Sequence, residues 1–441
     1  MINRTRSLGS ELRDPSSMRW VVCFLLFLAT TANYMDRSVF SLLEPALHGV
    51  AFMGWSPLAD RFHQPVFDNN FGNIVICFQL AYGIGLLVSG RVIDRLGTKK
   101  GYALAILIWA AASIGHSLVT SVMGFFVARI CLGLGEAGNF PAAIKATSEW
   151  FPTEERALAT GIFNSGSNFS YLVAPLLVAW VTARFGWRYA FVATGSFGVM
   201  WLVVWLLFPY QRLRRESSLR TQQRVALPVE KQSFLALLVS RKAWAFATGK
   251  GLTDGVWWFY LFYLPQFLNR TYGLELHAQY WFLVTVYVIS SFGSIFGGGL
   301  SGVLMHRGFS INAARKFTML GMAVCVMPIM LVPHLGTLFP ANPWPATLLI
   351  AFAAAAHQGW SANLFSTTGD MFPSNAVSTV VGFGGAMGAA GGAIFTAIIK
   401  RSFSLHPLFV FLMASMVYLI ALGIMHLLVP RLGQTSEVTS Q

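Results

Sequence analysis

Twelve stretches of this sequence are apolar for long enough to cross a lipid bilayer, and that feature constrains the fold more than any other. A helix needs about 20 mostly apolar residues to span the hydrocarbon. Inside lipid every backbone polar group must be satisfied within the protein, which leaves helices and closed barrels. Barrel strands read as short segments of alternating polarity, about ten residues each. These runs are longer and continuous. Only 11% of the residues are charged, against about 25% in an ordinary soluble domain. The expected class is all-α, a polytopic membrane protein of twelve transmembrane helices.

Charge placement gives an expected topology. With both termini on the cytoplasmic side, most of the 31 Lys and Arg residues fall in cytoplasmic stretches. That bias is the positive-inside pattern. The net charge of +14 then reads as topology and contact with the lipid bilayer. The basic residues are scattered over many short loops, so no nucleic-acid partner is expected. The polar first 18 residues, with Arg4, Arg6 and Arg13, run into an apolar stretch of full spanning length. This reads as an uncleaved first helix. Cys23, Cys77, Cys131 and Cys325 all fall inside expected spans, where they pack as small hydrophobes without a disulfide framework.

The longest polar interruption, 209–242, divides the spans six and six. The expected organisation is a six-helix bundle over 1–208, a cytoplasmic linker over 209–242, a second bundle over 243–430 and a cytoplasmic tail over 431–441. The halves echo each other. "EWFPTEERALATGI", 149–162, aligns with "DMFPSNAVSTVVGF", 370–383. More weakly, "GRVIDRLGTKKG", 90–101, aligns with "GVLMHRGFSINAARK", 302–316, so that Gly90 faces Gly302, Arg95 faces Arg307 and Asp94 faces His306. Parallel repeats of this kind are one plan for secondary transporters.

The stretch "ARICLGLGEAGNFPAAIK", 128–145, contains Gly133, Gly135 and Gly138 in the order G-x-G-x-x-G. A dinucleotide turn needs a strand before these glycines. Here an apolar helix precedes them, so the glycines are read as points of close helix approach. Arg129, Gly133 and Glu136 share one face, and Pro141 is expected to kink or end the helix. No Walker-A sequence and no H-E-x-x-H occurs. No cofactor and no metal are expected, and the chain does not read as an enzyme.

Charges inside a membrane cost about 2.5–3.5 kcal/mol each on insertion scales, which marks them as functional candidates. Span one ends "TTANYMDRSVF", with Asp36 and Arg37 adjacent. Neighbours on a helix differ by about 100°, so these two cannot face one partner. Span seven, "GKGLTDGVWWFYLFYLPQFL", puts Lys250, Asp254, Trp257 and Trp258 on one face. Aromatic faces stack on the C–H faces of sugars, and charged or hydroxyl groups read their substituents. Span ten, "HQGWSANLF", carries His357, Trp360, Ser361 and Asn363. Those side chains serve either a pocket or interhelical hydrogen bonds. Gln79, Tyr82, Asn164 and Asn168 are weaker candidates. Asp36, Glu136 and Asp254 balance Arg37, Arg129 and Lys250. A neutral set admits an anion only together with protons or cations, which is the logic of a symporter.

Several of these motifs resemble a known family. "SGRVIDRLGTKKGY", 89–102, resembles the loop-two signature of the major facilitator superfamily. "NYMDRSVF" and "ARICLGLGEAGNFPA" resemble spans one and four of its anion:cation symporters. "LTDGVWWFYLFYLP" and "HQGWSANLFSTTGDMFP" resemble bacterial hexuronate transporters more narrowly. The resemblance implies two pseudo-symmetric six-helix bundles in a bacterial inner membrane, working as a monomer on a small sugar acid and protons; the alternative is another organic anion, such as galactonate, glucarate or an aromatic acid, coupled to protons or sodium. It implies that Arg37 clamps the substrate carboxylate, while Tyr34, Tyr82, Trp360 and Asn363 line the sugar site. Asp36 and Glu136 would carry protons, Arg129 would bias Glu136, and Gly90, Asp94, Arg95 and Gly97 would form a gate. His306 in place of a second Asp departs from matched gates, and 48–70 is a long first outer loop. A sugar-acid sensor without transport would need a sizeable signalling domain, for which 209–242 and the tail are too short.

Overall fold

The computed structural model describes residues 15–47, 50–53, 60–214, 233–402 and 407–433. Every regular element among them is helical. The first half holds α1 (Pro15–Leu42), α2 (Asp60–Leu96), α3 (Thr98–Gly115), α4 (Val122–Glu136), α5 (Asn139–Trp150), α6 (Thr153–Phe185) and α7 (Trp187–Leu207). The second holds α8 (Arg241–Tyr272), α9 (Tyr280–His306), α10 (Ile311–Val326), α11 (Trp344–Met371), α12 (Val377–Ser402) and α13 (Pro407–Leu428). The helix α10 continues through a 3-10 turn into Val332–Leu338, so each half supplies six crossings. Parts of the linker and tail expected from the sequence, 215–232 and 434–441, lie outside the described residues, as do 48–49 and 54–59 of the outer loop. The helix α2 begins at Asp60, so the later part of that loop is helical.

Nine of the described helices are long and apolar enough to cross a membrane. The crossings outside that set are α4 with α5, α8 and α11, each of which carries buried polar residues. The helix that carries Arg129 and Glu136 is interrupted at Ala137–Gly138. Proline has no N–H to offer the carbonyl four residues before it. Pro141 therefore leaves the Ala137 carbonyl without a helical partner, and the Ser89 hydroxyl donates to it at 3.1 Å. The sequence announces the break, and the borrowed hydroxyl heals it.

The halves meet along two seams, α2 against α12 and α6 against α9. Both seams bring backbone onto backbone. A Cβ at Gly90 would strike the Ser378 carbonyl, and one at Gly382 the Leu86 carbonyl. In the other seam, Gly161 faces the Ser294 carbonyl, Gly298 that of Ala157 and Gly302 that of Glu154. Small residues at these points let helices approach where apolar burial gives no driving force, since lipid is as apolar as the side chains.

Candidate functional site

Between the halves lies a cavity with about 100 Å³ open to the centres of water molecules. The first half contributes Tyr34, Arg37, Tyr82, Phe140 and Asn164 to its wall. The second contributes Lys250, Asp254, Trp257, Trp258, His357, Gln358, Ser361 and Phe365.

Arg37 is the centre of the first wall. Its Nε donates to Glu136 Oε2 at 3.0 Å, and the Glu136 carboxylate is fully buried. The guanidinium lies against the rings of Tyr82 at 4.3 Å and Tyr34 at 4.8 Å. Aromatic faces attract such a cation and hold its plane. The Arg37 side chain keeps 24% of its surface open and lines the cavity. Asp36 turns away, as the helical step requires, and its Oδ1 accepts from Ser113 Oγ at 2.7 Å. It lies behind the wall. Arg129 is buried over Phe40 at 4.3 Å and Phe78 at 5.2 Å. Among the described residues it makes no ion pair, and the guanidinium that touches Glu136 is that of Arg37.

The second wall carries the expected face of α8. Lys250 Nζ meets Asp254 Oδ1 at 2.7 Å, and its ammonium lies 4.3 Å from the Phe365 ring centre. Trp257 stacks on His357 with ring centres 5.3 Å apart, and His357 Nδ1 lies 2.6 Å from the Tyr418 hydroxyl. Asn164 crosses between the halves. Its amide donates to Gln358 Oε1 at 2.6 Å and to Ser294 Oγ at 3.2 Å.

Two expected lining residues are placed elsewhere. Trp360 is buried edge-on against Tyr418, and Asn363 donates to the carbonyls of Gly297 and Gly359 at 2.8 and 2.9 Å. Both sit on the side of α11 that packs inside the second half, because the wall is built from the stripe His357, Gln358, Ser361 and Phe365. Gln358 and Phe365 were not singled out from the sequence. Their spacing from Ser361, three residues back and four forward, is the signal that would have found them.

The halves are tied together at the end that carries the loop-two motif. Asp94 Oδ1 pairs with Lys145 at 2.8 Å, and its Oδ2 accepts from the Thr379 N–H at 2.7 Å and hydroxyl at 2.6 Å. A carboxylate on the first N–H groups of α12 meets the positive end of that helix. Arg95, one residue on, is exposed and makes no ion pair among the described residues, so only Asp94 of the expected charge pair ties the halves. Gly97 turns the chain into α3 at φ 80°, a conformation that glycine adopts without strain. In the second seam Asp370 accepts from Arg315 Nε at 2.9 Å and from Arg156 at 3.2 Å, across the halves. Arg315 also donates to the Thr153 carbonyl at 2.8 Å.

Two bundles around a central charged cavity, joined along two seams, define a multi-pass membrane protein of the major facilitator type. The family model of the Major Facilitator Superfamily matches residues 26–396, and the chain belongs to that superfamily. It is 29% identical to a hexuronate transporter of Escherichia coli (strain K12) over 401 residues, 88% of each chain. It is 29% identical to a galacturonate transporter of Dickeya chrysanthemi over 325 residues, 70% of this chain and 90% of the relative. Its fold is similar to that of the proton:xylose symporter XylE bound to 6-bromo-6-deoxy-D-glucose. There the TM-score is 0.71 at 15% identity, with 93% of this chain and 96% of the other covered.

Proposed function

We propose that the chain is a secondary active transporter that carries hexuronates such as glucuronate or galacturonate with protons, by alternating access, in a bacterial inner membrane. The observation that carries the reading is Arg37, mounted on Glu136 and under two tyrosine rings in the wall of a cavity between the halves. A planar guanidinium suits a carboxylate bidentately. The tryptophan faces opposite suit the C–H faces of a sugar ring. The two relatives that carry uronates lend the substrate class.

The charge balance explains why protons belong in the cycle. Arg37 and Glu136 are neutral as a pair. A substrate carboxylate on Arg37 competes with Glu136, and the site stays neutral when Glu136 takes a proton. Asp36, hydrogen-bonded to Ser113 behind the wall, is the second proton carrier of this reading. Arg129, buried over aromatic rings nearby, sets the field in which both carboxylates ionise. Asp254, paired with Lys250 on the other half, is a further carboxylate of the coupling set. Moving one negative charge into a negative cell costs about 2.3 kcal/mol per 100 mV. One proton cancels that cost and a second makes inward transport electrogenic. With the termini in the cytoplasm, the end closed by Asp94 and Asp370 faces inward, and the cavity is reached from outside.

The test is uptake of labelled glucuronate into proteoliposomes of the full chain, with and without an acidic exterior. Accumulation only with the gradient is expected. Glu136→Gln is expected to keep exchange and lose accumulation. Gradient-driven accumulation by that variant would remove Glu136 from the coupling role. Uptake driven by sodium instead would replace the coupling ion. A vesicle that takes up galactonate or a sugar diacid but no glucuronate would replace the substrate.

A further inference from the structure

Asp36 carries protons in the reading above, yet it does not line the substrate cavity and is 1% exposed. Arg37, the next residue, takes the wall position. A proton needs another way to reach Asp36.

Four buried polar atoms in this region have no hydrogen-bond partner within the protein, and they come from four separate segments. They are Asp36 Oδ2 on α1, His116 Nε2 just past the end of α3, Arg129 Nε on α4 and Thr194 Oγ1 on α7. Thr194 and Arg129 are neighbours of the Asp36 carboxylate, and Arg129 is also the charged neighbour of His116. Ser113, which donates to Asp36 at 2.7 Å, lies one turn before His116. The His116 ring stacks on Phe191 with centres 4.8 Å apart, one turn before Thr194.

Buried polar groups without a partner are rare. His116 is the informative one. Its Nδ1 lies 2.7 Å from the Ala112 carbonyl, which only accepts, so Nδ1 carries the hydrogen and Nε2 keeps a lone pair. The set then holds two acceptors, Asp36 Oδ2 and His116 Nε2, and two donors, Arg129 Nε–H and the Thr194 hydroxyl. A water molecule offers two hydrogens and two lone pairs, and buried waters typically make about three hydrogen bonds to such groups.

We infer that a buried water is held between Asp36, His116, Arg129 and Thr194, that it passes protons to and from Asp36, and that His116 is the residue that positions it. The inference rests on the proton-coupled reading of the cavity. By accepting one hydrogen of the water, His116 Nε2 turns the other toward Asp36 Oδ2. The titratable and charged groups that face this region are Asp36 from α1, His116 from the turn after α3 and Arg129 from α4, with Glu136 seven residues farther along α4; α7 presents Thr194. His116 opens the turn between α3 and α4, at the end of the half away from the loop-two motif. Arg188 donates to the Ser117 and Val119 carbonyls of that turn at 3.0 and 3.1 Å. In the proposed topology this turn faces outside. Protons then enter through the first half, sugar acid enters between the halves, and the two routes meet where Asp36 adjoins Arg37.

The experiment measures gradient-driven accumulation and exchange of labelled glucuronate in proteoliposomes of the full chain. His116→Phe keeps an aromatic ring against Phe191 and removes the lone pair. It is expected to lower accumulation at least tenfold and exchange less than threefold. His116→Gln, whose amide oxygen reaches the place of Nε2, is expected to recover at least a third of wild-type accumulation. Thr194→Val, which removes a donor to the same water, is expected to lower accumulation at least threefold with a smaller loss of exchange. Wild-type accumulation by His116→Phe overturns the inference. So does an equal loss of accumulation and exchange, or a His116→Gln variant no better than His116→Phe. If His116→Phe does not fold, Thr194→Val decides, and wild-type accumulation by it overturns the inference. Absence of gradient-driven accumulation by the wild type overturns the proton-coupled reading together with the inference.

Discussion

Asp94 and His306 occupy matching positions in the two halves, yet the seams they belong to are fastened differently. In the first seam Asp94 itself joins Lys145 of α5 to the start of α12. In the second, His306 is exposed and the carboxylate comes from Asp370, at the end of α11, held between Arg315 and Arg156. The repeat mate of Asp370 is Glu149. It accepts from the Tyr210 hydroxyl at 2.8 Å and pairs with Arg214 at 3.3 Å, inside the first half. The duplicated backbone thus keeps two seams, while the acid that fastens each has moved from one motif to the other. Fold symmetry is set by where helices cross, and the crossings depend on small residues. Electrostatic fastening depends on single side chains and is free to diverge.

Substitutions that attack the fasteners separate the two seams. The largest effect is expected from Asp370→Ala. It strands the fully buried Arg315 and the part-buried Arg156 without a counter-charge. Breaking a buried pair on one side costs about 3–5 kcal/mol. The purified protein should melt at a clearly lower temperature, and a wild-type melting point would show that the second seam is not held by charge. Asp94→Asn comes next, at about 2 kcal/mol, the worth of hydrogen bonds to a charged group. The amide oxygen still caps Thr379, but Lys145 loses its counter-charge. Thiol labelling of a cysteine placed at residue 378 should speed up, because the closed end opens more often. Unchanged labelling would leave the first seam to its glycines. Glu149→Gln loses a partly exposed arginine and keeps an acceptor for Tyr210, so a change within about 1 kcal/mol is expected. His306→Ala is expected to stay within about 0.5 kcal/mol, as exposed positions do. A larger loss from His306→Ala than from Asp94→Asn would invert the comparison.

The fold was legible in the sequence because length and apolarity decide it. The twelve crossings, the division into halves and the interruption near Pro141 all follow from residue type and spacing. So does the divergence of Asp36 and Arg37. The partner of Glu136 was not legible. Arg129 shares its helix face, whereas Arg37 reaches it from another helix, and a contact across helices leaves no periodicity in the sequence. The choice between pocket and packing along α11 was open for a related reason. Every residue of α11 from Ala356 to Met371 is buried. Polarity alone does not say which side of such a helix faces a cavity and which faces another helix. Lys145 follows an apolar run in the sequence. It is buried, since α5 carries it in against Asp94.

The glycine-lined seams have a kinetic consequence. Where backbone slides on backbone, few rotatable bonds are frozen on contact or released on parting. Side-chain ordering costs up to about 2 kcal/mol for a long residue, and these surfaces avoid most of it. They act as plain bearings: stiff against compression, nearly indifferent to shear, and intolerant of a single added methyl group. In the proposed cycle, the barrier to turning one half against the other then resides in a few hydrogen-bonded acids.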